Sequence, residues 1–123
     1  ELGTLSGRVT LHPDGRGEIE YRASDPPVRQ RFTIAHEIGH LLLRHVEQGG
    51  EAMRDDSKSF SRKSYDPKEA EANRFAAEIL MPADTVRFMI EQSPNPPTLK
   101  SMARRFEVSE LAMQYRLKNL GWI

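Results

Sequence analysis

At 123 residues the chain is long enough for one domain that buries roughly two-thirds of the surface exposed by its unfolded form. Its 18 Lys and Arg balance 18 Asp and Glu, so no global charge draws it to nucleic acid or anionic lipid. The absence of cysteine excludes a disulfide framework and thiolate metal sites and fits a cytoplasmic protein, and no apolar run reaches membrane-spanning length or reads as a signal peptide.

Leu5 to Leu11 and Glu18 to Arg22 alternate apolar and polar residues around Asp14-Gly15-Arg16-Gly17. This is the pattern of a β-hairpin, with Val9 and Leu11 expected to pair with Ile19 and Tyr21 on a buried face. His12 falls in the hairpin, where a histidine is ordinarily a surface residue. Asp25-Pro26 then suits an N-cap followed by a first helical position, and after Pro27 no proline occurs until well past His45, which predicts a helix over about 26–45. Inside it stands His36-Glu37-Ile38-Gly39-His40. One helical turn stacks His36 on His40, so both imidazoles can reach one zinc ion, with Glu37 about 100° round the helix beside the attacking water. Ile34, Ile38, Leu41 and Leu42 fall about 140° to 240° from His36, so a core face opposite the ligands is expected. A catalytic zinc takes three protein ligands and keeps one position open. His45 sits about 180° from His36 on a continuous helix, and Leu41-Leu42-Leu43 offers no break that would bring it round.

Residues 46–65 turn polar and read as a long loop carrying Phe60 and Tyr65. Tyr65, Tyr115 and His45 are the candidate donors to a developing oxyanion. Residues 66–82 form a second helix, opened by Asp66, Pro67 and Glu69 as a capping box that gives Glu69 a structural role. Ala72, Phe75, Ala76, Ile79 and Leu80 make its buried stripe, and Glu71 and Glu78 lie on the margin, where a carboxylate needs a partner such as the metal. Asn73 is a candidate to orient a ligand. In the last third, residues 84–92 form a short helix and Ser93-Pro94-Asn95-Pro96-Pro97 breaks the chain. Thr98 and Ser109 then cap two further helices and Gly121 stops the last. The helix-turn-helix-like pair within 98–121 carries Lys100, Arg104, Arg105, Arg116 and Lys118. Its apolar residues Leu99, Met102, Phe106, Val108, Leu111, Met113, Leu117 and Leu120 suit a core wall better than a DNA reader.

Two separated stretches, Phe32 to Leu42 around the histidine pair and Glu69-Ala70-Glu71-Ala72-Asn73-Arg74-Phe75-Ala76-Ala77-Glu78-Ile79-Leu80-Met81-Pro82, together resemble the ImmA/IrrE-type metallopeptidases. The likeness runs from about Leu5 to Leu120. It implies a small α+β, zincin-like fold, with an N-terminal β-hairpin or small sheet packed on a zinc-binding helix and a helical C-terminal half. It implies His36, His40 and Glu71 as ligands of one Zn2+, in a set of N and O donors that Mn2+ or Fe2+ can also occupy, and Glu37 as general base. The best-known members cleave repressor proteins, so the implied activity is hydrolysis of a peptide bond in a specific protein substrate, a transcriptional repressor. The alternative class is a DNA-binding or toxin-like regulatory protein that retains the metal site, and an intact Glu37 argues against it. A zincin holds its peptide extended, so an exposed strand beside the zinc helix is a candidate to pair with substrate.

Overall fold

The computed structural model describes residues 5–47, 49–55 and 66–123, of which residues 5 and 51–55 are described through their backbone only. The order is β1 (Leu5–Leu11), β2 (Gly17–Tyr21), α1 (Pro27–Leu42), β3 (Glu51–Asp55), α2 (Pro67–Leu80), α3 (Ala83–Gln92), α4 (Leu99–Phe106) and α5 (Glu110–Asn119), an α+β fold as expected. It divides into two compact units, residues 1–76 and 77–123. Among the described residues no helix is long and apolar enough to cross a membrane.

In the first unit the hairpin forms as the alternation predicts. Gly15 takes the left-handed conformation its turn requires, at φ 91°, and Val9 sits opposite Ile19. The register differs from expectation at the other two positions, because Leu11 faces Gly17 and Tyr21 faces Gly7, leaving Tyr21 exposed. The sheet also has a third strand within the stretch read as loop. β3 pairs antiparallel with β1, giving the order β2-β1-β3 with β1 in the centre. Among the described residues β2 and β3 are therefore the edge strands.

α1 lies against β1 and β2. It begins one residue later than expected because Pro26 precedes Pro27, and a residue before proline is held in extended backbone, here φ −57° and ψ 149°. Pro26 is therefore the N-cap and Asp25 lies outside the helix. The helix also ends early, at Leu42. Arg44 enters the left-handed region at φ 61°, the His45 N–H reaches the His40 carbonyl at 2.9 Å and the Arg44 N–H the Leu41 carbonyl at 3.2 Å. These two bonds are a Schellman motif, built on arginine where glycine is usual. Phe60 and Tyr65 lie outside the described residues.

The second unit is built from the end of α2 and from α3 to α5. Met81, Val86, Met102, Ala103, Phe106, Val108, Met113 and Leu117 form its core, with Leu99 and Leu120 packed at the margin, while Leu111 is exposed. Thr98 Oγ1 accepts the Ser101 N–H and Ser109 Oγ the Ala112 N–H, both at 3.0 Å, as N-caps should. Gly121 stops α5 at φ 86°. Of the basic residues expected on this helix pair, Arg116 is buried, and its Nε donates to the Met81 carbonyl at 2.9 Å. It serves the fold and offers nothing to a phosphate.

Candidate metal centre

The helical spacing does what the sequence requires of it. His36 and His40 lie on one face of α1 with ring centroids 4.7 Å apart and their Nε2 atoms 3.1 Å apart. That face is also the buried one. Thr33, Ala35, His36, Glu37, Gly39 and His40 are the buried residues of α1, whereas Ile34, Ile38 and Leu41 are half-buried and Leu42 is 65% exposed. The expected apolar face opposite the ligands is thus the less covered side. Two glycines explain the inversion. A Cβ on Gly7 would overlap Thr33 Cγ2 and touch Glu37 Cγ, so β1 passes directly over the start of the motif. A Cβ on Gly39 would lie 3.0 Å from Phe75 Cδ1 and 3.2 Å from Phe75 Cβ, so α2 crosses α1 inside the histidine motif.

That crossing decides which carboxylate meets the histidines. Glu69 Oε1 is 3.2 Å from His36 Nε2, and Glu69 Oε2 is 2.5 Å from His40 Nε2. Glu71, the expected third ligand, is half exposed and faces His45 instead, with Oε1 3.5 Å from His45 Nε2; Glu78 is exposed. The capping box that was to occupy Glu69 forms only in part. Asp66 Oδ1 accepts the Lys68 N–H at 2.9 Å, while the Glu69 carboxylate turns to the imidazoles. Burial pushes the Glu69 carboxyl upward, but hydrogen bonds and charge from His36 and His40 outweigh it and hold it at about 2, against 4.5 for an ordinary glutamate.

The other nitrogens of the histidines are also engaged. Asn73, one turn after Glu69, places Oδ1 2.8 Å from His36 Nδ1. His40 Nδ1 lies 2.9 Å from His45 Nδ1. Glu37 is fully buried beside the pair, with Oε1 3.6 Å from His36 Nε2 and 3.9 Å from His40 Nε2, and the donor atoms of His36, Glu37 and His40 all lie within 4.8 Å of one another. His12 stays in the hairpin, paired with Glu18 at 2.7 Å. Tyr115 is exposed on α5.

The donors fit a divalent ion. Tetrahedral zinc with N and O ligands at about 2.0 to 2.1 Å spaces its donor atoms by about 3.3 Å, close to the 3.1 Å between the two Nε2 atoms and the 3.2 Å from His36 to Glu69. Hard and borderline donors without sulfur suit Zn2+, Mn2+ or Fe2+.

An α+β fold that sets two imidazoles one helical turn apart, a carboxylate from a second helix and a buried glutamate at the same point has the arrangement of a zincin-type metallopeptidase. Comparison with known proteins gives the family. The family model for the IrrE N-terminal-like domain, a peptidase family, matches residues 2–118, and the chain belongs to that family. It is 38% identical over 98 residues to the radiation response metalloprotease IrrE of Deinococcus radiodurans and 36% identical over 92 residues to that of Deinococcus deserti. Each match covers 74% of this chain but only 27% and 32% of those relatives, so the chain spans about a quarter to a third of their length.

Proposed function

We propose that the chain is a zinc-dependent endopeptidase domain that hydrolyses a peptide bond in a specific protein substrate, with His36, His40 and Glu69 as metal ligands and Glu37 as general base. The observation that carries this reading is the convergence of both Glu69 oxygens on the Nε2 atoms of His36 and His40 beside a fully buried Glu37.

When bound, a divalent ion supplies Lewis acidity, bringing the pKa of water towards neutrality and polarising a carbonyl oxygen. The residues do the rest. His36 Nε2, His40 Nε2 and Glu69 would hold the ion, while Asn73 would keep the His36 proton on Nδ1 so that its Nε2 lone pair points inward. Glu37 Oε1, within 4 Å of both Nε2 atoms, takes the proton from the attacking water and delivers it to the amine of the leaving peptide. Its burial strengthens that proton transfer by excluding competing solvent. A transcriptional repressor as substrate is supported by the resemblance to repressor-cleaving family members. The metalloprotease names of the two Deinococcus relatives support the peptidase activity itself.

The test is Glu37→Gln, which keeps the size of the side chain but cannot accept the proton. The variant is expected to bind one ion per chain by elemental analysis and to cleave substrate at least 100-fold more slowly, the usual scale of a lost general base. Substantial residual cleavage removes Glu37 from its role, and loss of the ion recasts it as a ligand.

A further inference from the structure

The nitrogens turned away from the proposed metal position carry a second assignment. A metal-bound histidine needs a bare lone pair on the ligating nitrogen and its proton on the other one. For His36 that proton rests against Asn73 Oδ1. His40 has no carbonyl in that place. Its Nδ1 faces a second imidazole, His45 Nδ1, at 2.9 Å, with the rings 63° apart in an edge-to-face arrangement. Two imidazole nitrogens at that distance share one proton, so either His40 donates to His45 or the reverse. If His45 donated, the His40 proton would sit on Nε2, where the metal must bind.

Without an ion Glu69 Oε2 faces His40 Nε2 at 2.5 Å, so the direction matters only once a metal holds that nitrogen bare, and Glu71 then favours donation from His40. The far nitrogen of His45, Nε2, lies 3.5 Å from Glu71 Oε1, and an ionised carboxylate accepts hydrogen bonds but cannot donate. It draws the His45 proton to Nε2, which leaves His45 Nδ1 bare and able to accept from His40 Nδ1–H, which in turn bares His40 Nε2. Backbone conformation makes the arrangement possible. The Schellman turn with Arg44 at φ 61° brings the His45 N–H onto the His40 carbonyl, and the 7% exposed His45 side chain returns beside the ring it contacts. Arginine in the left-handed region is strained backbone, of the kind proteins keep at functional sites.

We propose that Glu71 and His45 form a two-step relay that fixes the tautomer and ring plane of His40, so that they are positioning residues for the metal ligand. This rests on the metal-site reading above. The test is made on metal-free protein titrated with Zn2+ in competition with a chromophoric chelator, with thermal melting of each variant alongside. His45→Ala should bind zinc about 10- to 100-fold more weakly, as removal of an outer partner of a ligand does. His45→Asn, whose side-chain oxygen falls near the lost Nδ1 and can accept from His40, should recover most of that loss. Glu71→Ala, at an exposed position where folding is not at stake, should show a smaller loss in the same direction. Nitrogen-15 spectra of the zinc-loaded wild type should place the His45 proton on Nε2. Wild-type affinity in His45→Ala or in Glu71→Ala overturns the proposal, as does a His45→Asn that melts normally yet binds no better than His45→Ala. If the wild type itself binds no zinc, the metal-site reading falls and takes the relay with it; if the wild type binds and the variants bind equally well, the relay alone is wrong.

Discussion

Glu69 gives the sharpest test of the site because its carboxyl responds to pH in the metal-free protein, without reference to catalysis. The group is held at about 2 in the folded chain, against 4.5 for a free glutamate, which corresponds to about 3 kcal/mol favouring the folded carboxylate. Its side chain is 22% exposed, so solvent screening trims the contribution to about 2 to 3 kcal/mol. The unfolded chain binds the proton more readily, so this stability is fully present above pH 4.5 and is lost as pH falls from 4.5 towards 2. Other carboxylates titrate in the same range, and the informative quantity is therefore a difference between two proteins. Urea unfolding of the metal-free wild type and of Glu69→Gln should give stabilities whose difference changes by about 2 to 3 kcal/mol between pH 4.5 and 2. Parallel pH profiles for the two proteins would show that Glu69 is not held by His36 and His40, and its assignment as the third ligand would go with that result.

In the metal-loaded protein, Glu69→Ala should lose its ion under mild dialysis while Glu71→Ala retains one ion per chain by elemental analysis, and the opposite pattern restores Glu71 as ligand. Gly39→Val drives a branched side chain into Phe75 and should lower stability by about 1 to 3 kcal/mol in thermal unfolding while also weakening zinc binding, because Glu69 and Asn73 ride on the same helix as Phe75. A normal zinc affinity in that variant would separate the helix crossing from the site. Duplex DNA should bind weakly in fluorescence anisotropy at low salt, since total charge is balanced and Arg116 is spent on the Met81 carbonyl. Tight binding abolished by Arg104→Ala and Arg105→Ala together would promote the regulator reading.

What the sequence made legible was local. Helix periodicity alone stacks His36 on His40, and side-chain capping by Thr98 and Ser109 needs no tertiary information. β3 was hidden because Glu51-Ala52-Met53-Arg54-Asp55 contains no β-branched or aromatic residue. It is a strand because β1 offers it a pairing edge, a tertiary effect that overrides propensity. The carboxylate that meets the histidines, Glu69 and not Glu71, is hard to read from sequence for a different reason. With Ala72 at 0° and 100° per residue, Ala76 falls at about 40°, Glu69 at about 60° and Asn73 at about 100°, whereas Glu71 lies near −100°. The two alanines, both fully buried, mark where α2 presses closest, and Glu69 shares their direction. The expected stripe holds both alanines but also Phe75, at about −60°, and Ile79, which is 51% exposed, and these pull it towards the Glu71 side. Within that stripe the two alanines alone mark the line of closest helix contact.

The same feature explains why metal and fold should be coupled in this chain. Among the described residues the apolar interior of the first unit is made of small side chains, Val9, Ala35, Val46, Ala72 and Ala76, and the larger buried groups beside them are His36, Glu37 and His40. Such a polar cluster specifies one arrangement when every member is matched and is costly when one is not. His36 meets Asn73, His40 meets His45, and both meet Glu69, partners that come from the α1 C-terminal turn and from α2. An ion bound by His36, His40 and Glu69, as proposed, would also hold α2 against α1 at Gly39, and its binding free energy would become folding free energy for that unit. The core of the second unit is built of Met, Val, Ala, Phe and Leu side chains.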